Sequence, residues 1–173
     1  MAADLKTKQE RNVRAMKLRP AVGRGTATTS VCLRPGGTTC DIEDGSWRLV
    51  ADMDAGSGGA DLGPDPGVFA RSGLGACLAI GYALWAARLE VPLDDVEVTI
   101  EADYDARGMY AVDDAVTPGW QAVRCNVSIV SSAPEARIRD VVEMADRHSP
   151  VLDDMTRPLT VERTLHIEAR AVR

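Results

Sequence analysis

Six side chains in this sequence are the ordinary candidates for nucleophilic or metal chemistry: Cys32, Cys40, Cys77, Cys125, His148 and His166. No two cysteines have a CxxC spacing and the histidines complete no zinc pattern with them, so neither a metal site nor a cofactor is expected. What remains is the chemistry of a single thiol. The thiolate is the nucleophile, and a cysteine in apolar surroundings has its pKa raised above the free value of about 8.5 unless a cation or directed hydrogen bonds bring it down. Cys77 stands in the 16 uncharged residues from Ser72 to Ala87, between Arg71 and Arg88. Arg71 is six residues before Cys77, about 120° round a helix and roughly 9 Å along it, so it does not serve as that cation. Cys125 alternates with Val123, Val127 and Ile129 and reads as core. Cys32 and Cys40 flank Arg34-Pro35-Gly36-Gly37 and would face each other if that turn centred on Gly36. Adjacent strands just permit a disulfide there, although a reducing compartment disfavours one. The glycines at 23–25 and 56–59 lack the strand–GxxxxGK[ST]–helix pattern of a phosphate loop.

The element that must position Cys77 is a helix from Pro64 to about Glu90. Its second half is rich in strong helix formers, and Pro64 and Pro66 fall where a first turn tolerates proline. A helix apolar on every side is buried, and this one is too short and glycine-rich to read as a bilayer span of about 20 apolar residues. Gly73, Gly75 and Gly81 call for another backbone at close range. One small domain cannot easily wrap a helix on all sides, so an obligate homodimer is expected.

The rest of the chain divides into a helical arm, residues 1–20, and a single domain, residues 21–173. Leu5, Val13 and Met16 recur among charges at helical spacing over residues 3–17, and Arg19-Pro20 ends that helix. Strands are expected at 25–33, 38–42 and 47–51, joined as a meander through the Pro35-Gly36-Gly37 and Asp44-Gly45 turns. A glycine-rich loop over 54–63 feeds the central helix. Val96, Val98 and Ile100 share one face of a fourth strand, with a hairpin partner expected at 109–112 and a further strand at 122–130. A helix opens at Pro134-Glu135 and ends near His148-Ser149-Pro150, and a last strand is expected over 159–167. Strands and helices in that order indicate an α+β fold with antiparallel sheets.

Composition narrows the partners. The 173 residues carry a net charge of −6, which argues against nucleic acid. The first residues lack the apolar core of a signal peptide, and with no expected membrane span a cytoplasmic protein is anticipated.

Pro66, then Gly75-Ala76-Cys77 on a buried helix, a Val-Glu-Val-Thr-Ile-Glu-Ala-Asp strand and a helix closing in His148-Ser149-Pro150 resemble the OsmC/Ohr family of thiol-dependent hydroperoxide reductases. The resemblance covers roughly residues 20 to 170 and implies an OsmC-like fold: antiparallel sheets around a long buried central helix, in an intertwined homodimer with active sites at the interface. It implies that Cys77 is the peroxidatic nucleophile for organic hydroperoxides, with Leu74, Leu78 and Ile80 making its surroundings apolar. Two family positions depart from the pattern. Ser149 stands where the family has its resolving cysteine, and a hydroxyl forms no disulfide, so turnover would need an external thiol. Gly67 stands where a glutamate orients the thiolate-activating arginine. Arg34 matches that arginine by placement, with Arg24 as the second choice. Asp65 either replaces the missing carboxylate or caps the helix N-terminus. The alternative function is a non-catalytic relative that binds a small apolar ligand at the dimer interface, with Cys77 as a packing residue, because a fold does not by itself carry an activity.

Overall fold

The computed structural model describes residues 2–168. The chain opens with helix α1 (Ala2–Leu18), then a 3-10 turn at Pro20–Gly23 and strands β1 (Ser30–Leu33), β2 (Cys40–Asp44) and β3 (Trp47–Ala51). These pair antiparallel in the order β1-β2-β3. Asp44 faces Trp47 across the second hairpin, so only Gly45 and Ser46 turn the chain, and Gly45 takes the positive φ that such turns demand.

Leu33 pairs with Cys40 and Cys32 with Asp41. Because side chains alternate across a strand, this register puts Cys32 and Cys40 on opposite faces of the sheet. The expected facing pair is therefore corrected: a one-residue difference in turn register removes the disulfide geometry, and both thiols are free.

Asp52 organises the loop after β3. Its carboxylate is 1% exposed and accepts hydrogen bonds from the hydroxyls of Thr38 and Thr39 and the amides of Met53, Ala60 and Leu62. These donors, Thr38 foremost, hold the carboxyl far below the usual carboxylate range against the opposing effect of burial.

The loop delivers the chain to α2 (Pro66–Leu89). Asp65 caps it, its Oδ1 accepting from the amides of Gly67 at 2.6 Å and Val68 at 3.1 Å, and Pro66 fills the first turn. Glu90 ends it in the left-handed conformation and forms an ion pair with Lys6 of α1. The helix buries one stripe, Leu74, Leu78, Tyr82 and Ala86. Against that stripe lie Val96, Val98 and Ile100 of β4 (Asp95–Asp103) and Val141 and Ala145 of α4 (Glu135–Arg147). Full burial of each large side chain there contributes about 1.5–3 kcal/mol.

The opposite stripe of α2, Ser72, Gly73, Ala76, Ile80 and Ala83, is exposed, Ile80 by 60%. A helix buried on all sides is thus not what the single chain builds. Gly75 and Gly81 do sit at close approaches, to Ile100 and Ala145, whereas a Cβ at Gly73 would meet nothing within 4 Å. At 24 residues α2 is slightly shorter than the expected Pro64–Glu90 stretch, and by length and composition alone it could cross a membrane, a test that the core helix of a soluble protein also passes.

Four further expectations are corrected. β4 pairs with β5 (Ala122–Val130), in the register Val98 to Val127 and Ile100 to Cys125, and not with residues 109–112. Asp105 accepts from the Arg107 amide and nucleates the short helix α3 (Ala106–Met109), and the amides of Tyr110, Ala111 and Val112 turn back onto the carbonyls of Ala106, Gly108 and Arg107, so 109–112 offers no strand. Cys125 shares the face of β5 that looks toward the helices, yet it is exposed rather than core, because α2 packs on β4 and leaves β5 open. Pro150 does not merely stop α4; it occupies the first turn of α5 (Pro150–Thr156). Residues 159–167 form no strand, although Leu159, Val161, Leu165 and Ile167 alternate with polar residues and all are exposed.

Candidate functional site

Cys77 lies midway along α2, half-buried, on the flank that turns toward α4 and α5. Close approach of those elements is set by Gly81, whose missing side chain admits Ala145 to 3.5 Å of the ideal Cβ position. Next to Gly81, the buried Tyr82 hydroxyl donates to Asp146 at 3.0 Å. That bond and burial push the Tyr82 phenol well above its ordinary value, burial being the larger cause.

Ser149 occupies the elbow between α4 and α5. It caps α5 through its Oγ, which accepts from the Leu152 amide, and it is 4% exposed. This places its hydroxyl 3.3 Å from the Cys77 sulfur. A serine hydroxyl has one proton to give and lone pairs to receive with, so it can accept from Leu152 while donating to a thiolate. Next to it, the His148 ring lies 5.0 Å from that of Trp85, centroid to centroid, with Nδ1 against the Met144 carbonyl at 2.7 Å.

The other sequence candidates lie elsewhere. Arg34 is in the first hairpin, where Nε and a terminal nitrogen meet the Asp41 carboxylate at 2.9 and 2.6 Å. That fork holds the Asp41 carboxyl below its ordinary range. Arg24 is exposed in the extended link to β1. The first sheet makes no extensive packing against α2 within one chain, so neither arginine is brought to Cys77 by the described residues of a single copy. Asp65 is engaged in capping α2. Gly67 suits that cap, since a Cβ there would come within 2.8 Å of the Asp65 oxygen and 3.1 Å of Arg71. No cluster of His, Cys, Asp or Glu able to hold a metal ion occurs among the described residues.

Arg71 borders a groove of about 290 Å³ with Val68, Ser72, Gly75, Ala76, Val98 and Ile100. The available signal was the i, i+4 run Val68, Ser72, Ala76, with Arg71 and Gly75 beside it, along one side of the helix. Nothing local revealed the Trp85–His148 contact, which joins residues far apart in sequence.

The OsmC-like protein family matches residues 57–164, more than half of the chain, spanning α2, Cys77 and Ser149. This chain belongs to that family. The OsmC-like protein of Mycoplasma pneumoniae shares the fold with a TM-score of 0.65 at 13% identity, over 76% of this chain and 87% of its own. An organic hydroperoxide resistance protein OsmC from Legionella pneumophila is similar with a TM-score of 0.57 at 19% identity, over 77% and 92% of the two chains. An organic hydroperoxide resistance protein from Elizabethkingia anophelis gives 0.57 at 17% identity, over 77% and 89%. None of the curated protein sequences matches this OsmC-like chain. At these identities the likeness establishes the α+β OsmC-like fold and leaves activity to be argued from the site.

Proposed function

We propose that this OsmC-like protein is a thiol peroxidase that reduces organic hydroperoxides through Cys77 and is returned to its starting state by an external thiol. The observation that carries this reading is the 3.3 Å contact between the Cys77 sulfur and the Ser149 hydroxyl. Either group can be the donor in that contact, and it holds a second polar group directly against the candidate nucleophile.

In the first step the Cys77 thiolate attacks the outer peroxide oxygen. A sulfur–oxygen bond forms, the oxygen–oxygen bond breaks, and the departing alkoxide takes a proton and leaves as an alcohol. Cys77 is then a sulfenic acid. Ser149 supplies no sulfur to resolve it, so an external thiol condenses with it, releasing water and leaving a mixed disulfide. A second thiol exchanges with that disulfide and frees Cys77.

The reading includes a homodimer in a reducing cytoplasm. In support, the Ile80 stripe of α2 and the exposed Val31, Leu33, Trp47 and Leu49 of the first sheet form open apolar surface. The alternating apolar residues from Leu159 to Ile167 add to it. A partner copy is also the source from which Arg34 would reach Cys77. The second reading is a scaffold that binds a small apolar ligand at the dimer interface, for which the groove along α2 offers Val68, Val98 and Ile100 beside the polar Arg71 and Ser72. Formation of a sulfenic acid on Cys77 under organic hydroperoxide separates the two: the peroxidase forms it rapidly, and the scaffold does not.

A further inference from the structure

Helix α1 lies outside the residues that match the family and packs along the C-terminal half of α2. Gln9 fixes the approach by donating to the Leu84 carbonyl at 2.9 Å, and Lys6 pairs with Glu90. Between the two helices runs a groove of about 260 Å³ bordered by Gln9, Glu10, Val13, Arg14 and Lys17 of α1 and Arg88 of α2. Three cations therefore line one recess. Its one carboxylate, Glu10, has Lys6 as a neighbour at 3.9 Å.

Several arginines on this surface are held by acids, as Arg34 is by Asp41, Arg107 by Asp105 and Arg124 by Asp103, although among the described residues Arg11, Arg19, Arg24 and Arg71 are not. Arg14, Lys17 and Arg88 form no ion pair among the described residues, in a chain with 26 acidic and 20 basic residues. Like charges gathered at one recess repel one another, and an anion seated among them relieves that repulsion. Arg88 is further oriented by stacking on Trp85, its guanidinium carbon 4.7 Å from the ring centroid.

We propose that the α1–α2 groove binds a small multivalent oxyanion, an organic phosphate or a polycarboxylate. Size and charge decide the class. At about 30 Å³ per water the recess holds roughly nine waters, enough for a small metabolite and too little for a polymer. The net charge of −6 also repels extended polyanions. Val13 gives the floor an apolar contact for the carbon skeleton of such a ligand.

The test is titration of the full-length protein with inorganic pyrophosphate and, separately, citrate, at about 0.15 M salt, followed by calorimetry and by tryptophan fluorescence, for which Trp85 is the local reporter. Saturable binding at or below about 1 mM is expected, weakened at least about tenfold by Arg88→Gln and by the Arg14→Gln/Lys17→Gln pair, with helicity unchanged. Arg11→Gln, on α1 but off the groove, should leave it unaltered. Preference for pyrophosphate or for citrate identifies the ligand as phosphate or carboxylate. A response linear through that range, equal weakening by Arg11→Gln, or binding only to phosphatidylglycerol vesicles would overturn the proposal.

Discussion

Cys77 and Ser149, 72 residues apart in sequence, meet with sulfur and hydroxyl oxygen at 3.3 Å. The contact is made by two helix ends: α4 stops at Arg147, and Ser149 caps α5 while facing the middle of α2. A thiol and a hydroxyl so placed make a one-sulfur site.

Replacing Ser149 by cysteine should supply a second sulfur within reach of the first. The oxygen–sulfur distance of 3.3 Å needs only a small side-chain adjustment to become a disulfide of about 2.0 Å. Ser149→Cys treated with cumene hydroperoxide without added thiol should therefore yield, by mass spectrometry, a disulfide between Cys77 and the introduced cysteine. Two reduced cysteines after that treatment would count against the site.

The unpartnered stripe of α2 should be a dimer contact. Ile80→Lys places a charge at its centre and should convert a dimer into a monomer by sedimentation at micromolar concentration, since an obligate interface of over about 2,000 Å² does not bury an unpaired charge cheaply. A monomeric wild-type protein would refute the dimer.

If a partner's Arg34 activates Cys77, Arg34→Met should slow its oxidation near pH 7 at least about tenfold, about 1.4 kcal/mol of barrier, while Arg24→Met changes little. The comparison is a competition for Arg34, which in one copy is held by Asp41. Equal rates for both variants and wild type would remove arginine from the site.

Asp52 should make the fold acid-sensitive. Its folded-state pKa lies far below the ordinary carboxylate value, so its stabilising effect is complete above about pH 4 and is lost as pH falls from there toward the depressed folded value. Asp52→Asn should lower the melting temperature at pH 7 and flatten its fall between about pH 4 and pH 2. An unchanged acid profile would show that the Thr38 and Thr39 hydrogen bonds carry no such linkage.

The central helix was legible because Asp65-Pro66 marks its start and sixteen uncharged residues follow. The same absence of charge could not reveal which faces the single chain covers, since that depends on where β4 and α4 lie. The meander was legible from its turns, but the parity of Cys32 and Cys40 hung on one residue of register between Leu33 and Cys40. Residues 109–112 misled because their apolar content suggested a strand while Asp105 had already begun a helix. Proline at 150 was read as a stop, although a serine before a proline is equally a helix start. Arg34 was placed by analogy with a family position, and no local pattern announced that Asp41 would meet it across the hairpin.

The most direct measurement is the rate at which Cys77 becomes a sulfenic acid, trapped with dimedone, under cumene hydroperoxide and under hydrogen peroxide at neutral pH. An organic-hydroperoxide reductase should be oxidised faster by cumene hydroperoxide than by hydrogen peroxide, with the reaction absent in Cys77→Ser and reversed by added thiol. A Cys77 that both peroxides leave reduced on the timescale of a free cysteine would contradict the peroxidase account and leave the protein as a ligand-binding scaffold.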